Sequence, residues 1–189
     1  PFATFLGKQN YTFDSLHGFD HSLNKNMIGT RRNGEIKFAT LFKNMLKNET
    51  FRKKFIDTFC VVGGSIFQPS HVKRIIDDMS SYLSTGGHVG PNGTANDIKN
   101  NFTLSYNNNM MNQLKSCSDM KLSSTARQSV SISTNTAGAK ILVNDTEVPY
   151  SEFNGYLFAP ITLKAEAPAG YKFVGWTSNG TTKRETIFD

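Results

Sequence analysis

The sequence predicts an α+β fold, with a small array of about four helices followed by an antiparallel β-sandwich or open barrel. Two observations carry this. Before residue 125 the apolar residues recur at helical spacing, and after it they alternate with polar ones. Turn-forming Gly and Asn pairs also punctuate the second part at short intervals. A third observation makes a packed core affordable: 38% of the 189 residues are hydrophobic, 15 of them Phe. The division expected is 1–125, a helical region whose first 35 residues are irregular, and 126–189, a small all-β domain.

Residues 1–35 carry the weakest pattern. "FATFLGKQNYTF" is strand-like, and "DSLHGFDHSLNKN" reads as loop. Residues 36–47, "IKFATLFKNMLK", place Phe38, Leu41, Phe42, Met45 and Leu46 on one helical stripe, with Asn48 as a stop. Thr50 is then the expected cap of a second helix with Phe51, Phe55, Ile56, Phe59 and Cys60 on one side, broken by Gly63-Gly64. Ser70, after Pro69, caps a third helix whose buried face is Val72, Ile75, Ile76, Met79 and Leu83, ending at Gly86-Gly87. A fourth helix falls at least in part within 94–118 on Ile98, Phe102, Met110, Met111 and Leu114, and the poor helix formers of "YNNNMMN" leave a break in it open.

From Gln128 onward "SVSISTN", "AKILVN", "GYLFAPITLKAEA", "YKFVGWTS" and "KRETIF" read as strands. Gly138, Asn144-Asp145, Asn154-Gly155, Gly170 and Asn179-Gly180 supply the turns. In "YKFVGW", Tyr171 and Phe173 fall on one face and Trp176, the one tryptophan, on the other, where it reads as a core anchor.

The net charge of +6 is scattered, with clusters only at Arg31-Arg32 and Arg52-Lys53-Lys54, and no groove-reading motif accompanies it, so nucleic acid is not an expected partner. No apolar run is long enough to span a bilayer. The chain reads as a processed or excised piece of a longer protein. Cys60 and Cys117 are too few for a disulfide scaffold, although one bridge between them stays open. His17, His21, His71 and His88 lack metal-ligand spacing. Asp77 and Asp78 project about 100° apart on their helix and read as a solvated face. Asp14 and Asp20 lie six apart around the Leu16–Phe19 segment; paired loop carboxylates can hold a cation, but no partner groups accompany these two. Sequons at Asn10, Asn48, Asn92, Asn101, Asn144 and Asn179 are what an Asn- and Thr-rich chain produces by chance.

Taken together, "LFKNMLKNETFRKKFIDTF" and "FQPSHVKRIIDDM" resemble the C-terminal part of the spore-coat CotH-type kinases, through Phe51, Arg52, Phe55 and Ile56, then Phe67, Pro69, Val72, Ile75, Ile76, Asp77 and Met79. "GAKILVND" and "FNGYLFAPITLKAEAPAGYKFVGW" are similar to the β-domain that trails such kinases in secreted proteins of Bacteroides-like bacteria. The resemblance covers most of 36–80 and 128–176. It implies an extracytoplasmic location, secreted or on the bacterial surface, and a parent that transfers phosphate from ATP to protein hydroxyls with Mg. The family's metal-holding Asp-x-Asp before an aromatic aligns with "GKQNYTFDS", which puts Lys8 and Asn10 at the acidic positions. An ammonium there repels Mg, so the pair is degenerate. The nucleotide lobe would lie upstream.

Three functions follow as expectations. The first is a non-catalytic C-terminal portion of a CotH-like protein with a scaffold or protein-interaction role, needing no cofactor, whose partner is a protein or the missing N-terminal lobe. The second is part of an active atypical kinase that uses ATP and Mg through Asp14 or Asp20 once its upstream lobe is present. The third is a carbohydrate-binding surface module that takes a glycan on Tyr156, Phe158, Tyr171 and Trp176.

Overall fold

A computed structural model describes residues 37–85, 95–96, 98–183 and 187–188. The chain is α+β. Four α-helices are described: α1 (Lys37–Leu46), α2 (Glu49–Gly64), α3 (Pro69–Thr85) and α4 (Thr103–Ser116). A π-helical turn, Ile98–Phe102, leads into α4, and a 3-10 turn, Ser118–Met120, follows it.

The helix boundaries differ from the sequence expectation in instructive ways. Asn48 closes α1, its N–H donating to the Met45 carbonyl at 3.0 Å, and it also caps α2 in place of Thr50. Its Oδ1 accepts from the Phe51 N–H at 3.0 Å, which satisfies one of the orphan donors of the first turn. α2 ends at Gly64, at the expected Gly63-Gly64 break, with Ser65 as its C-cap; both glycines are buried, and Gly64 packs against Phe153. α3 starts one residue before Ser70, with Pro69 at the first helical position, where a missing N–H costs nothing. Gln68 precedes it, and its buried amide donates to the Gly64 carbonyl at 2.7 Å, tying the end of α2 to the start of α3. α4 continues across the Asn run without a break. Two of those asparagines, Asn108 and Asn112, accept from the Arg127 guanidinium at 3.0 and 3.1 Å, fastening α4 to the first strand.

Eight short strands are described after them: β1 (Arg127–Ser133), β2 (Lys140–Val143), β3 (Thr146–Glu147), β4 (Glu152–Phe158), β5 (Ile161–Glu166), β6 (Trp176–Ser178), β7 (Thr181–Lys183) and β8 (Ile187–Phe188). They pair antiparallel as β1–β4, as the sheet β3–β2–β5–β8, and as the hairpin β6–β7. Asn144 and Asp145, at φ 46° and 57°, form the turn between β2 and β3, and Asn179-Gly180, at 49° and 78°, the turn between β6 and β7. Asn154-Gly155 is no turn. It lies inside β4, opposite Ser131 and Val130 of β1. Residues 171–175 are not a strand either, so the expected opposition of Phe173 and Trp176 does not hold. Their rings meet edge to face at 5.4 Å.

One buried cluster runs through α1, α2, α4 and both larger sheets. It joins Ile56, Cys60 and Val61 of α2 and Met111 and Leu114 of α4 to Phe153 and Leu157 of β4 and to Ile141, Val143 and Leu163 of the four-stranded sheet. The change of pattern near residue 125 is a change of secondary structure within a continuous core. Phe153 sits at its centre, fully buried. The helix reaches it so closely that a Cβ on Gly64 would lie 2.2 Å from Phe153 Cε2, and one on Gly155 would lie 2.7 Å from the Gly64 Cα. Glycine at both positions lets backbone meet backbone.

Candidate functional site

Lys8, Asn10, Asp14 and Asp20 lie outside the described residues, as do His17, His21 and His88. Among the described residues no group of three or more His, Cys, Asp or Glu is placed to hold a metal ion, and no helix is long and apolar enough to cross a membrane. No disulfide joins Cys60 to Cys117. Cys60 is a core residue: its Sγ lies 3.8 Å from the Met111 sulfur, and burial pushes its thiol up to about 12. The basic run is internally committed. Arg52 donates to the Leu46 carbonyl, Lys53 pairs with Glu49, and Lys54 reaches the β2–β3 turn.

That turn is the polar seam between helix and sheet. Lys54 Nζ donates to the Asp145 carbonyl at 3.1 Å and to Thr146 Oγ1 at 2.9 Å. The Asn144 amide donates to Asp57 Oδ1 at 2.8 Å, and its oxygen accepts from the Thr162 N–H at 2.7 Å. The Asn144 sequon is therefore occupied by structure. Burial raises the Asp57 carboxyl above its ordinary 3.8, opposed by the hydrogen bond from Asn144 and by the charges of Lys54 and Lys53. Between the ordinary and the raised value the folded chain holds a proton that the unfolded chain has lost, so this group's contribution to stability falls as pH rises through that window. Asp57→Asn keeps an acceptor for Asn144 and removes that slope. The Tm of this variant at pH 7 is expected to equal or exceed that of the parent, and a loss of more than about 3 °C would contradict the account.

The four aromatics grouped as a sugar surface are divided by the fold. Phe158 is buried in the core. Tyr156, on β4, lies under the Arg127 guanidinium at 4.3 Å and does not line the cleft that holds the others. Tyr171 and Trp176, with Phe173, line a cleft of about 900 Å³ whose opposite walls are β1 and β5. The turn at Pro168–Gly170 sets this wall. Gly170 has φ +84°, as its place in the turn requires, and the Tyr171 N–H donates to the Pro168 carbonyl at 3.0 Å. Trp176 is half-buried, and its indole N–H is shut off from water with no acceptor.

A second surface stands on α3. The stripe expected to be buried is not. The helix packs against the π-helical turn and α4, and Val72 and Ile76 are half-buried, but Ile75, Met79 and Leu83 are exposed, and Tyr82 joins them. These four fall at i, i+4, i+7 and i+8, a continuous apolar stripe, and Met79 is 60% and Tyr82 82% exposed. Asp77 and Asp78 lie off the stripe and pair with Lys99 and Arg74. Periodicity had identified an apolar face but not what covers it.

Comparison of the chain with family models, with curated proteins and with solved structures finds no match.

Proposed function

We propose that the chain is a non-catalytic, extracytoplasmic scaffold whose helical region docks a protein segment on α3. The observation that carries this reading is the stripe Ile75–Met79–Tyr82–Leu83, which has the spacing of a buried helix face yet stands exposed. The occupant to which the reading commits is polypeptide, and the resemblance to CotH-type kinases names it as the upstream lobe against which this helical piece packs. The aromatic and methionine side chains of the stripe suit such a contact: both types are enriched where proteins meet. The seam and the core join α2 to the sheets, and no residue of α3 belongs to the buried cluster, so the stripe on α3 is not committed to it.

Two results test this. Replacing Met79 and Leu83 together by Asp is expected to lower binding of an apolar fluorescent dye while shifting Tm by no more than about 3 °C, because neither side chain belongs to the core. Unchanged dye binding would remove the stripe as an apolar surface. The purified chain, mixed with labelled ATP, Mg or Mn and a Ser-rich protein, is expected to transfer no phosphate. Metal-dependent labelling would overturn the non-catalytic reading.

A further inference from the structure

We propose that the outer edge of β1 takes up an extended segment of another polypeptide as an added antiparallel strand, in which apolar residues alternate with Ser or Thr. Pairing parity shows what this edge offers. The Thr134 N–H donates to the Ser151 carbonyl at 2.8 Å, and these two residues continue the β1–β4 register. In an antiparallel strand the backbone groups turn toward a given neighbour at every second residue. Ile132 and Val130 therefore direct their N–H and C=O to Phe153 and Gly155 of β4, and those of Ser129, Ser131 and Ser133 turn away from β4. Among the described residues no strand meets them.

The cleft described above runs along this edge. Every residue of β1 from Gln128 to Ser133 lines it, and no residue of β4 does. A space over one face of a strand touches alternate residues, so contact with both parities, and with β1 alone of the pair, places the cleft at the backbone edge. Natural edge strands are ordinarily blunted by Lys, Pro or a bulge. The segment "QSVSIS" has neither residue, and its pairing with β4 runs residue for residue without a bulge.

The register also sets the chemistry of the occupant. Directly opposed residues of an antiparallel pair share a face. Those of the added strand that oppose Ser129, Ser131 and Ser133 stand with these serines on the face away from Phe153, which suits Ser or Thr. The residues between them stand on the side of Val130 and Ile132, in a cleft lined also by Leu163 and Ala165 of β5, which suits apolar side chains. Tyr171, Phe173 and Trp176 form the wall across the cleft, which a lone segment passes and the sheet of a second folded copy would meet.

Amide exchange of the whole chain, followed by NMR, reads the edge directly. Without a partner the Ser129, Ser131 and Ser133 amides are expected to exchange fast and those of Val130 and Ile132 slowly. A synthetic peptide as long as β1, alternating Val with Ser or Thr, is expected to slow the three serine amides and to change the fluorescence of Trp176, the one tryptophan, in a saturable way. N-methylation of the peptide's Ser and Thr residues removes the donors that face β1 and is expected to weaken binding by roughly tenfold or more. N-methylation of its Val residues, whose N–H groups face away from β1, is expected to leave binding unaltered, as is Tyr82→Ala on the α3 stripe. The proposal is overturned if the Ser131 amide is already protected in the free chain, if the unmodified peptide does not bind, or if the two N-methylated peptides bind alike. None of these results bears on the α3 docking surface, which shares no residue with β1 or its cleft.

Discussion

Gly64→Ala is expected to destabilise the folded chain by about 2 kcal/mol, in spite of being a substitution that ordinarily strengthens a helix. Replacing Gly by Ala inside a helix gains about 1 kcal/mol of propensity, and less at Gly64, the last residue of α2. Against this, the new Cβ would lie 2.2, 2.5 and 2.8 Å from three carbon atoms of the Phe153 ring. The ring is fully buried, so it cannot swing outward, and the helix or the strand must shift instead. Overpacking of this kind costs roughly 1–3 kcal/mol and occasionally more, which exceeds the propensity gain at such short distances. In urea titrations the midpoint falls while the slope stays that of the parent. A neutral or stabilising effect would mean that α2 does not press on β4 through this glycine.

Phe153→Ala is expected to cost about 3–5 kcal/mol, the range for emptying a buried aromatic site. The void would open between α2 and β4, where helix and sheet meet most closely. The two substitutions are coupled, because an alanine methyl at position 64 can occupy space that the ring has left. The double variant should therefore be more stable than the sum of the single effects predicts, by about 1 kcal/mol or more. Strict additivity would contradict the contact. Because the buried cluster is continuous, helical and strand signals are expected to be lost in a single transition.

The helices and most strands are legible from periodicity alone, because amphipathic spacing is a local property of the chain. The misread places are those where a distant partner decides. Asn154-Gly155 looks like a turn, yet Gly155 lies inside β4, where its backbone meets that of Gly64 of α2. Asn48 reads as a stop and serves equally as the next cap, since one residue can close one helix and open another. "YKFVG" alternates like a strand but does not pair as one. Within the candidate cleft, Trp176 and Tyr171 are recognisable from residue type. Tyr156 is not separable from them by sequence, because the arginine that lies over its ring is held by asparagines on α4. The unpartnered indole N–H has no sequence signal at all.

The central claim is that polypeptide covers the α3 stripe when the protein is at work. Placing a photo-reactive benzophenone amino acid at Met79, in cells that make the protein, tests it most directly, since that side chain stands 60% exposed at the middle of the stripe. On illumination the account predicts a discrete cross-linked product whose peptide map joins α3 to the upstream lobe, and its loss when Leu83 is also replaced by Asp. A probe at Met79 that forms no cross-link, while one placed within the core cross-links normally, would contradict the claim.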